Sequence, residues 1–201
     1  MNKVSESPEQ IISDIITAFE KYALGDIRKV QENNMPIAAF ILSVCFIDQL
    51  SCYIYSGKKN PTHRSKDFVA EYLNRVAKKP YDKDHLIDLL RNKLVHNYSL
   101  MDREQAKHYD YIYVLEYTHP KIHLERKDRM VFINIEGFIN DLTEAFKIYK
   151  NLLINDQIVR ANAVKHYHRN GIIVSLEAKL KLTRTFEITI PNDTKPQQNK
   201  P

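Results

Sequence analysis

The chain has 201 residues, a length that fits one domain with extensions better than two independent domains. Its formal net charge of +5 is compatible with a phosphate-rich partner but lies within the range of ordinary soluble proteins. Only four glycines are present, and the sequence contains neither a phosphate-cradling glycine loop nor a dinucleotide-binding motif, which argues against a nucleotide-hydrolysing or hydride-transferring enzyme.

The N-terminal part of the chain predicts two helices. Ser7 as N-cap and Pro8 as first helical residue open an amphipathic helix that should stop near Gly25. A second helix is predicted over residues 36–55. Its first half, residues 37–47, is apolar on nearly every side, which places this helix in the middle of a bundle or in a subunit interface.

The same segment bears on the cellular compartment. Residues 37–47 are too few to span a bilayer, since Ser43 interrupts the apolar run and Asp48 stops it, and the N-terminus has no apolar signal region. Cys45 and Cys52 lie about two helical turns apart, too far for a disulfide. We therefore expect buried, reduced thiols in a cytoplasmic protein that does not engage a membrane.

Two further helices follow. The third is predicted near residues 63–79 and is closed by Pro80. The fourth begins near Asp82 and carries apolar side chains at helical spacing, namely Leu86, Ile87, Leu90 and Leu94. The most distinctive segment of the chain, residues 90–98, lies where this fourth helix ends.

After Tyr98 the pattern changes to short segments rich in β-branched and aromatic residues. Three short antiparallel strands are predicted, at residues 111–117, 121–125 and 129–135. A turn at residues 126–128 separates the second strand from the third. We interpret this part, about residues 111–135, as a small antiparallel β-insertion between helices.

The C-terminal part predicts a long helix with a break, ended by Asn170 and Gly171. A terminal hairpin is predicted over residues 172–190, and the polar residues 191–201 should be a disordered tail. The predicted fold is therefore mainly α (α+β), with a bundle of four to five helices and the β-insertion in a single domain over residues 1–190.

The segment 90–98 reads Leu-Arg-Asn-Lys-Leu-Val-His-Asn-Tyr and brings an arginine close to a histidine. Cleavage of RNA by its own 2′-hydroxyl needs a base, an acid for the leaving oxygen and a cation beside the developing charge. His96 can act as base or acid near neutral pH, and the Arg91 guanidinium matches phosphate oxygens. The pair is therefore sufficient, in outline, for RNA cleavage without a metal.

Spacing alone is weak support for this interpretation. The same Arg-x4-His pattern recurs at Arg103 and His108, in a polar stretch. On a regular helix, positions five apart point roughly 140° away from one another, so the arginine and histidine would not share a face. Either the helix ends or distorts before His96, or the two side chains of one motif meet those of a second subunit. A structural explanation also stays open, in which Arg91 pairs with Asp88 and His96 favours the helix C-terminus.

The residues around the pair add a family resemblance. Asn92 directly follows the arginine, and the segment resembles the signature of the HEPN family, small helical proteins with an Arg-x4-6-His motif. The resemblance implies a metal-independent endoribonuclease, often a toxin or defence effector, that dimerises so that two motifs form one cleft. It also implies that Arg91 stabilises the scissile phosphate, His96 transfers protons and Asn92 orients them.

The form Arg-x4-His-x-Tyr, completed by Tyr98, resembles the subgroup of these toxins that pairs with a nucleotidyltransferase antitoxin. That resemblance implies that the antitoxin modifies Tyr98. With Lys93, this tyrosine is an expected binding residue. RNA, a second copy of the chain and an antitoxin are the expected partners, and no cofactor is expected.

Other residues define alternatives. A non-catalytic binding module, whose basic cleft or β-insertion recognises nucleotide, nucleic acid or protein, is the second hypothesis. A metal-dependent nuclease centred on Glu177 and Lys179 is the third. Two histidine pairs, His119 with His123 and His166 with His168, lack the cysteine or carboxylate that would complete a metal site, so no metal is expected there.

Overall fold

The computed structural model describes residues 6–57, 60–95 and 110–172. This part of the chain is mainly helical, as predicted. The α-helices are α1 (Pro8–Thr17), α2 (Gly25–Glu32), α3 (Pro36–Ile54), α4 (Pro61–Phe68), α5 (Asn74–Val76), α6 (Lys83–Ile87), α7 (Ile135–Asn155) and α8 (Gln157–Asn170). The wider π-helical winding occurs in π1 (Ala18–Leu24), π2 (Val69–Leu73) and π3 (Asp88–Val95).

The first helix begins as predicted but runs past its predicted end. Ser7 caps α1 by accepting a hydrogen bond from the Gln10 amide at 3.2 Å, and Pro8 follows. The predicted stop at Gly25 is wrong, because this residue has right-handed helical dihedrals, φ −62° and ψ −41°, and opens α2. A helical glycine costs only about 1 kcal/mol relative to alanine, so buried apolar neighbours such as Ile27 override it.

Helix α3 is the centre of the bundle, in agreement with its all-round apolar sequence. It packs against α2, α4, π3, α7 and α8. Among the described helices it alone is long and apolar enough to cross a membrane, yet more than half of its most apolar stretch is buried inside the protein. Its hydrophobicity therefore serves the bundle core.

An aromatic cluster joins the helices around α3. Phe19 of π1 meets Phe46 and Tyr53 of α3 and Phe146 of α7, with ring centroids 5.3 to 5.9 Å apart and steep edge-to-face angles. Such pairs add about 0.5–1.5 kcal/mol each beyond the burial of their area. The cluster fixes α1 with π1, α3 and α7 relative to one another.

The two cysteines are free, but one prediction about them is wrong. Cys52 is half-buried, whereas Cys45 is exposed rather than buried. The reason is that α3 is apolar all round, so the sequence does not reveal which of its faces the neighbouring helices leave uncovered.

The β-insertion is present, with a different strand order from the one predicted. Strands β1 (Ile112–Glu116), β2 (Arg126–Lys127) and β3 (Met130–Asn134) form a sheet of order β1-β3-β2. Only β2 and β3 pair antiparallel, while β1 and β3 pair parallel from Ile112 opposite Met130. The prediction of a wholly antiparallel sheet is therefore wrong.

The connection explains the error. Residues 117–129 contain a 3₁₀ turn at Pro120–Ile122 and return the chain to the starting end of β1, which a parallel pair requires. The predicted second strand at residues 121–125 belongs to this return path. Asp128, with φ +54°, makes the tight turn into β3, close to the turn predicted at residues 126–128.

The predicted break in the long C-terminal helix lies at Asp156, which ends α7 and caps α8. Its Oδ1 accepts hydrogen bonds from the amides of Ile158 and Val159 at 2.8 and 2.9 Å. Gly171, with φ +68°, follows α8 as predicted. The predicted hairpin, from residue 173 onwards, and the predicted tail at residues 191–201 lie outside the described residues.

Candidate functional site at the junction of α3, α4 and π3

The helix that carries the arginine-histidine segment departs from regular α-helical geometry. Asp82 caps α6, and from Asp88 to Val95 the winding is π-helical. In a π-helix the backbone hydrogen bonds join residues five apart, so these residues lie nearly above one another. Of the alternatives that the spacing leaves open, a distorted helix is therefore observed from Asp88 to Val95. Similar winding in π1 and π2 means that it does not mark this site by itself.

Arg91 projects from π3 towards α3 and α4. Its Nε donates to Asp48 Oδ2 at 2.8 Å, and its Nη1 donates to Thr62 Oγ1 at 3.1 Å. The arginine side chain is 19% exposed and that of Asp48 is 33% exposed. The ion pair with Asp88 considered from the sequence is not formed, because Arg91 lies across the interface from Asp48.

Asp48 is itself fixed on α3. Ser65 donates a short hydrogen bond to Asp48 Oδ1, and Ser51 donates to the Asp48 carbonyl oxygen at 2.8 Å. The two serine hydroxyls lie 3.5 Å apart and are buried. A carboxylate on an otherwise apolar helix requires such partners, because an unpaired buried charge is costly.

Asn92 connects Arg91 to the preceding turn. Its Nδ2 donates to Asp88 Oδ1 at 3.0 Å, and its Oδ1 lies 3.5 Å from Arg91 Nη1. The position directly after the arginine therefore joins the cluster. We call Asp48, Thr62, Ser65, Arg91 and Asn92 the Arg91 cluster.

Lys93 does not join the Arg91 cluster. It is half-buried, two positions after Arg91 and on the other side of the helix, where its charge acts on His85. Burial lowers the pKa of His85, and Lys93 lowers it further. His85 packs against the rings of Tyr111 and Tyr113, with centroids 5.2 and 4.7 Å away.

His96 and Tyr98 lie outside the described residues, as do the second pair, Arg103 and His108, and the candidate nuclease residues Glu177 and Lys179. Of the predicted catalytic residues, the structure therefore brings together Arg91 and Asn92. Sequence reasoning missed Asp48, Thr62 and Ser65. One signal pointed to Asp48, since it is the only charged residue between Pro36 and Ile54.

The surroundings of the Arg91 cluster carry both signs of charge. Arg64 Nη2 donates to Cys52 Sγ at 3.3 Å, and Lys66 Nζ lies 2.8 Å from Asp84 Oδ1. The hydrogen bond from Lys66 lowers the pKa of Asp84. Among the described residues, the junction therefore contains the Lys66–Asp84 ion pair beside that of Arg91 with Asp48.

A second polar cluster lies where the β-insertion meets α7. Tyr81 Oη donates to Asp141 Oδ2 at 2.8 Å and lies 2.8 Å from His123 Nε2. Tyr81 is buried, and the side chains of His123 and Asp141 are 12% and 18% exposed. We call these three residues the Tyr81 cluster. Burial, and then the charge of Asp141, raise the pKa of Tyr81 well above its usual range, so its phenol remains a donor.

Both ring nitrogens of His123 are engaged. The amide of Asn134 donates to Nδ1 at 3.1 Å, which assigns the proton of the neutral imidazole to Nε2, facing Tyr81 and Asp141. The ring also lies against Gly137, where an added Cβ would come within 2.4 Å of His123 Cγ. His123 is thus enclosed by α7 and by the strand that leads into it.

The other histidines weighed from the sequence also have partners. His119 contacts Glu116 at 3.3 Å, and His166 packs on the Tyr53 ring at 4.4 Å. Tyr167 and His168 are ring neighbours on α8. Within residues 6–57, 60–95 and 110–172, no three His, Cys, Asp or Glu side chains are grouped so that they could hold a metal ion.

Comparison of the chain with protein-family models, curated proteins and solved structures gives no significant match. The interpretation of the site therefore depends on its own geometry and on the sequence motif.

Proposed function

We propose that the chain is a metal-independent endoribonuclease of HEPN type that acts as a cytoplasmic homodimer in a toxin or defence role. Arg91 binds the scissile phosphate, His96 transfers protons and Asn92 orients the pair. In this proposal Tyr98 is the residue that an antitoxin modifies. The observation that carries the proposal is that Arg91, the first residue of the Arg-x4-His segment, is held by Asp48 and Thr62 in a π-helix that is described as far as Val95.

The reaction follows from the chemistry of RNA. The 2′-oxygen attacks the adjacent phosphorus as a base removes its proton, and the bond from phosphorus to the 5′-oxygen breaks as an acid protonates that oxygen. The products are a 2′,3′-cyclic phosphate and a 5′-hydroxyl. Arginine stabilises the negative charge that develops on the phosphate oxygens.

The contacts of Arg91 suit this role. Asp48 and Thr62 engage Nε and Nη1, which fixes the plane of the guanidinium. Nη2 donates to no residue within the described part of the chain, and it is the group assigned here to the phosphate. A guanidinium held in place before substrate binds loses less entropy when it forms its phosphate contact.

The π-helical winding bears on whether the two predicted catalytic side chains can lie on the same side of the helix. It extends to Val95, the position directly before His96. Continued by one residue, it would bring His96 above Arg91, whereas a regular α-helix would point the two apart. This continuation is part of the proposal.

The need for two proton-transfer groups supports a homodimer. One His96 per chain supplies either the base or the acid, and a second chain supplies the other. Two copies also bring two Arg91 guanidinium groups to one cleft. The net charge of +5 per chain favours approach of RNA to such a dimer.

The proposal is tested by incubating mixed RNA with the protein in EDTA. Arg91→Ala and His96→Ala should each lower cleavage by at least about 100-fold, the usual scale for losing a charge-stabilising or proton-transfer group. Arg103→Ala and His108→Ala are the matched controls, because they remove the same residue types at the same spacing, and they should cleave normally. Activity lost on chelation, or retained in both variants of the first pair, contradicts the proposal.

One observation favours a second candidate, the non-catalytic binding module. Arg91 is already paired with a carboxylate of its own chain, and an arginine in this state can serve the stability of the α3–π3 contact alone. This candidate predicts that the purified protein binds RNA, nucleotide or a protein without producing any 2′,3′-cyclic phosphate ends. Mass analysis of the RNA ends distinguishes the two.

A further inference from the structure

A groove of about 240 Å³ separates π1 from the outward side of α3. Its walls are mainly apolar and include Phe19, Ala23, Leu42 and Cys45. Leu42 is 37% exposed, and Cys45 is exposed as well. Contiguous apolar surface open to water is unfavourable by about 25 cal/mol per Å², so such a groove is typical of an interaction site.

The chain itself leads into this groove. Ile172, the last described residue, forms part of the lining. The preceding residue, Gly171, has φ +68°, and its carbonyl accepts a hydrogen bond of 2.8 Å from the buried Tyr53 hydroxyl of α3. The end of α8 is thus tied to α3 with Ile172 in the groove.

The sequence after Ile172 matches the apolar character of the groove. From residue 174 to residue 190, even positions are apolar except for Arg184, and odd positions are polar. In an extended chain alternate side chains point to the same side, about 6.6 Å apart. An extended segment that places Ile172 in the groove therefore directs Val174 and Leu176 to the same side.

We propose that the segment directly after Ile172 docks along this groove of its own chain, with Val174 and Leu176 as the buried side chains. The lining residues Gln49 and Leu42 are seven positions apart on α3, about 10 Å along the helix. Two extended residues span about 7 Å, so Val174 falls near the middle of this length, at the level of Cys45. The proposal is independent of any ribonuclease activity.

Cys45 lies in the groove lining, so disulfide formation with it can test whether the segment is docked. In the full chain with Cys52→Ser, Val174→Cys should form a disulfide with Cys45 under mild oxidation, because docking brings the two residues within the Cα separation of about 7 Å that a disulfide permits. Ser175→Cys, one position along and on the opposite side, is the matched control and should remain reduced. A band for a single cross-linked chain supports the proposal. A disulfide between two chains, no disulfide, or equal cross-linking of the control overturns it.

Thiol reactivity gives a second measurement without cross-linking. Partial burial of its sulfur, together with the nearby Asp48, raises the pKa of the Cys45 thiol, so alkylation is followed at pH 8.5. Val174→Asp should release the segment and increase the alkylation rate of Cys45 at least about 10-fold, whereas Ser175→Asp should leave it unchanged. Equal rates in the two variants contradict the docked segment.

Discussion

The Arg91 and Tyr81 clusters consist of similar residue types but differ in how many of their polar atoms contact the protein. Each joins elements distant in sequence through a cation or imidazole, a carboxylate and a hydroxyl. In the Tyr81 cluster the phenol and both imidazole nitrogens are engaged by protein atoms. In the Arg91 cluster the contacts among the described residues engage Nε and Nη1 but not Nη2.

The two clusters differ in whether their polar atoms are all engaged by the protein. A histidine enclosed by Asn134, Gly137 and Asp141 holds the β-insertion against α7 and has no nitrogen left to exchange protons with a substrate. The Arg91 guanidinium is half-buried, its Nη2 has no acceptor among residues 6–57, 60–95 and 110–172, and we propose that this group binds an anion. We therefore assign a structural role to the Tyr81 cluster and propose a functional role for the Arg91 cluster.

The largest stability effect is expected at Gly137. Gly137→Ala places a Cβ within 2.4 Å of His123 Cγ, and the ring has to move out of its hydrogen bonds. We expect a loss of about 3 kcal/mol in the free energy of unfolding, at the upper end for overpacking, measured by urea denaturation. Gly25→Ala is the control, because its added Cβ meets nothing closer than 3.6 Å in a helix, and it should stabilise by about 0.5–1 kcal/mol. If Gly137→Ala leaves the free energy of unfolding unchanged, the His123 ring can move aside without loss of stability, which contradicts this prediction.

Tyr81→Phe tests the same cluster through a single hydroxyl. Asp141 and His123 both lose a hydrogen-bond partner in a buried setting, so we expect a loss of about 2 kcal/mol in unfolding free energy. Tyr117→Phe, at a 63% exposed position, should change stability by less than about 0.5 kcal/mol. Equal changes in the free energy of unfolding for the two substitutions would contradict the structural role assigned to the Tyr81 phenol.

Asp48→Asn tests the ion pair that holds Arg91 in the other cluster. The variant leaves a half-buried guanidinium without its carboxylate, which should cost about 1–2 kcal/mol, less than in a fully buried pair because both side chains contact solvent. If Asp48 positions Arg91, turnover at saturating RNA should also fall about 10-fold without a rise in KM. Glu144→Gln, which breaks the exposed pair with Lys147, is the control and should change neither quantity measurably. Unchanged turnover in Asp48→Asn would limit Asp48 to a role in stability.

The smallest effect concerns pH and the β-insertion. Burial acts to raise the pKa of Glu116, but hydrogen bonds from Thr118, Asn134 and the His119 amide outweigh it and lower the pKa to about 2. Because the folded-state pKa lies below the ordinary glutamate value of 4.5, this contribution is present above about pH 4.5 and is lost as the pH falls towards 2. Glu116→Gln should therefore be less stable at pH 7 and should lose less stability than wild type between pH 4.5 and 2. Parallel pH profiles of the two proteins would contradict the assigned contacts.

Much of the helical fold could be predicted because it depends on local signals. Ser7 and Pro8 mark the first helix, and Asn170 with Gly171 marks the end of the last described one. The errors arise where tertiary packing decides. Gly25 continues a helix because its neighbours are buried, and β1 pairs parallel with β3 because of a return path that local sequence does not encode.

The candidate site was predictable only in part. The motif identified Arg91 and Asn92, which the structure brings into contact at 3.5 Å. The partner of Arg91 was not predictable from helical spacing. Spacing favours Asp88, three positions earlier, whereas the observed partner, Asp48, lies 43 positions earlier. The Tyr81 cluster escaped prediction because its three residues come from three separate segments, with no shared periodicity.

The most direct test compares Arg91→Ala with His123→Ala in one assay. Cleavage of RNA in EDTA is measured at a low temperature at which circular dichroism shows both variants to be folded. We expect Arg91→Ala to lose at least about 100-fold in cleavage rate, whereas His123→Ala should cleave within about 3-fold of wild type despite a lower unfolding free energy. Wild-type cleavage by Arg91→Ala, or loss of cleavage confined to His123→Ala, would contradict the assignment of the two clusters.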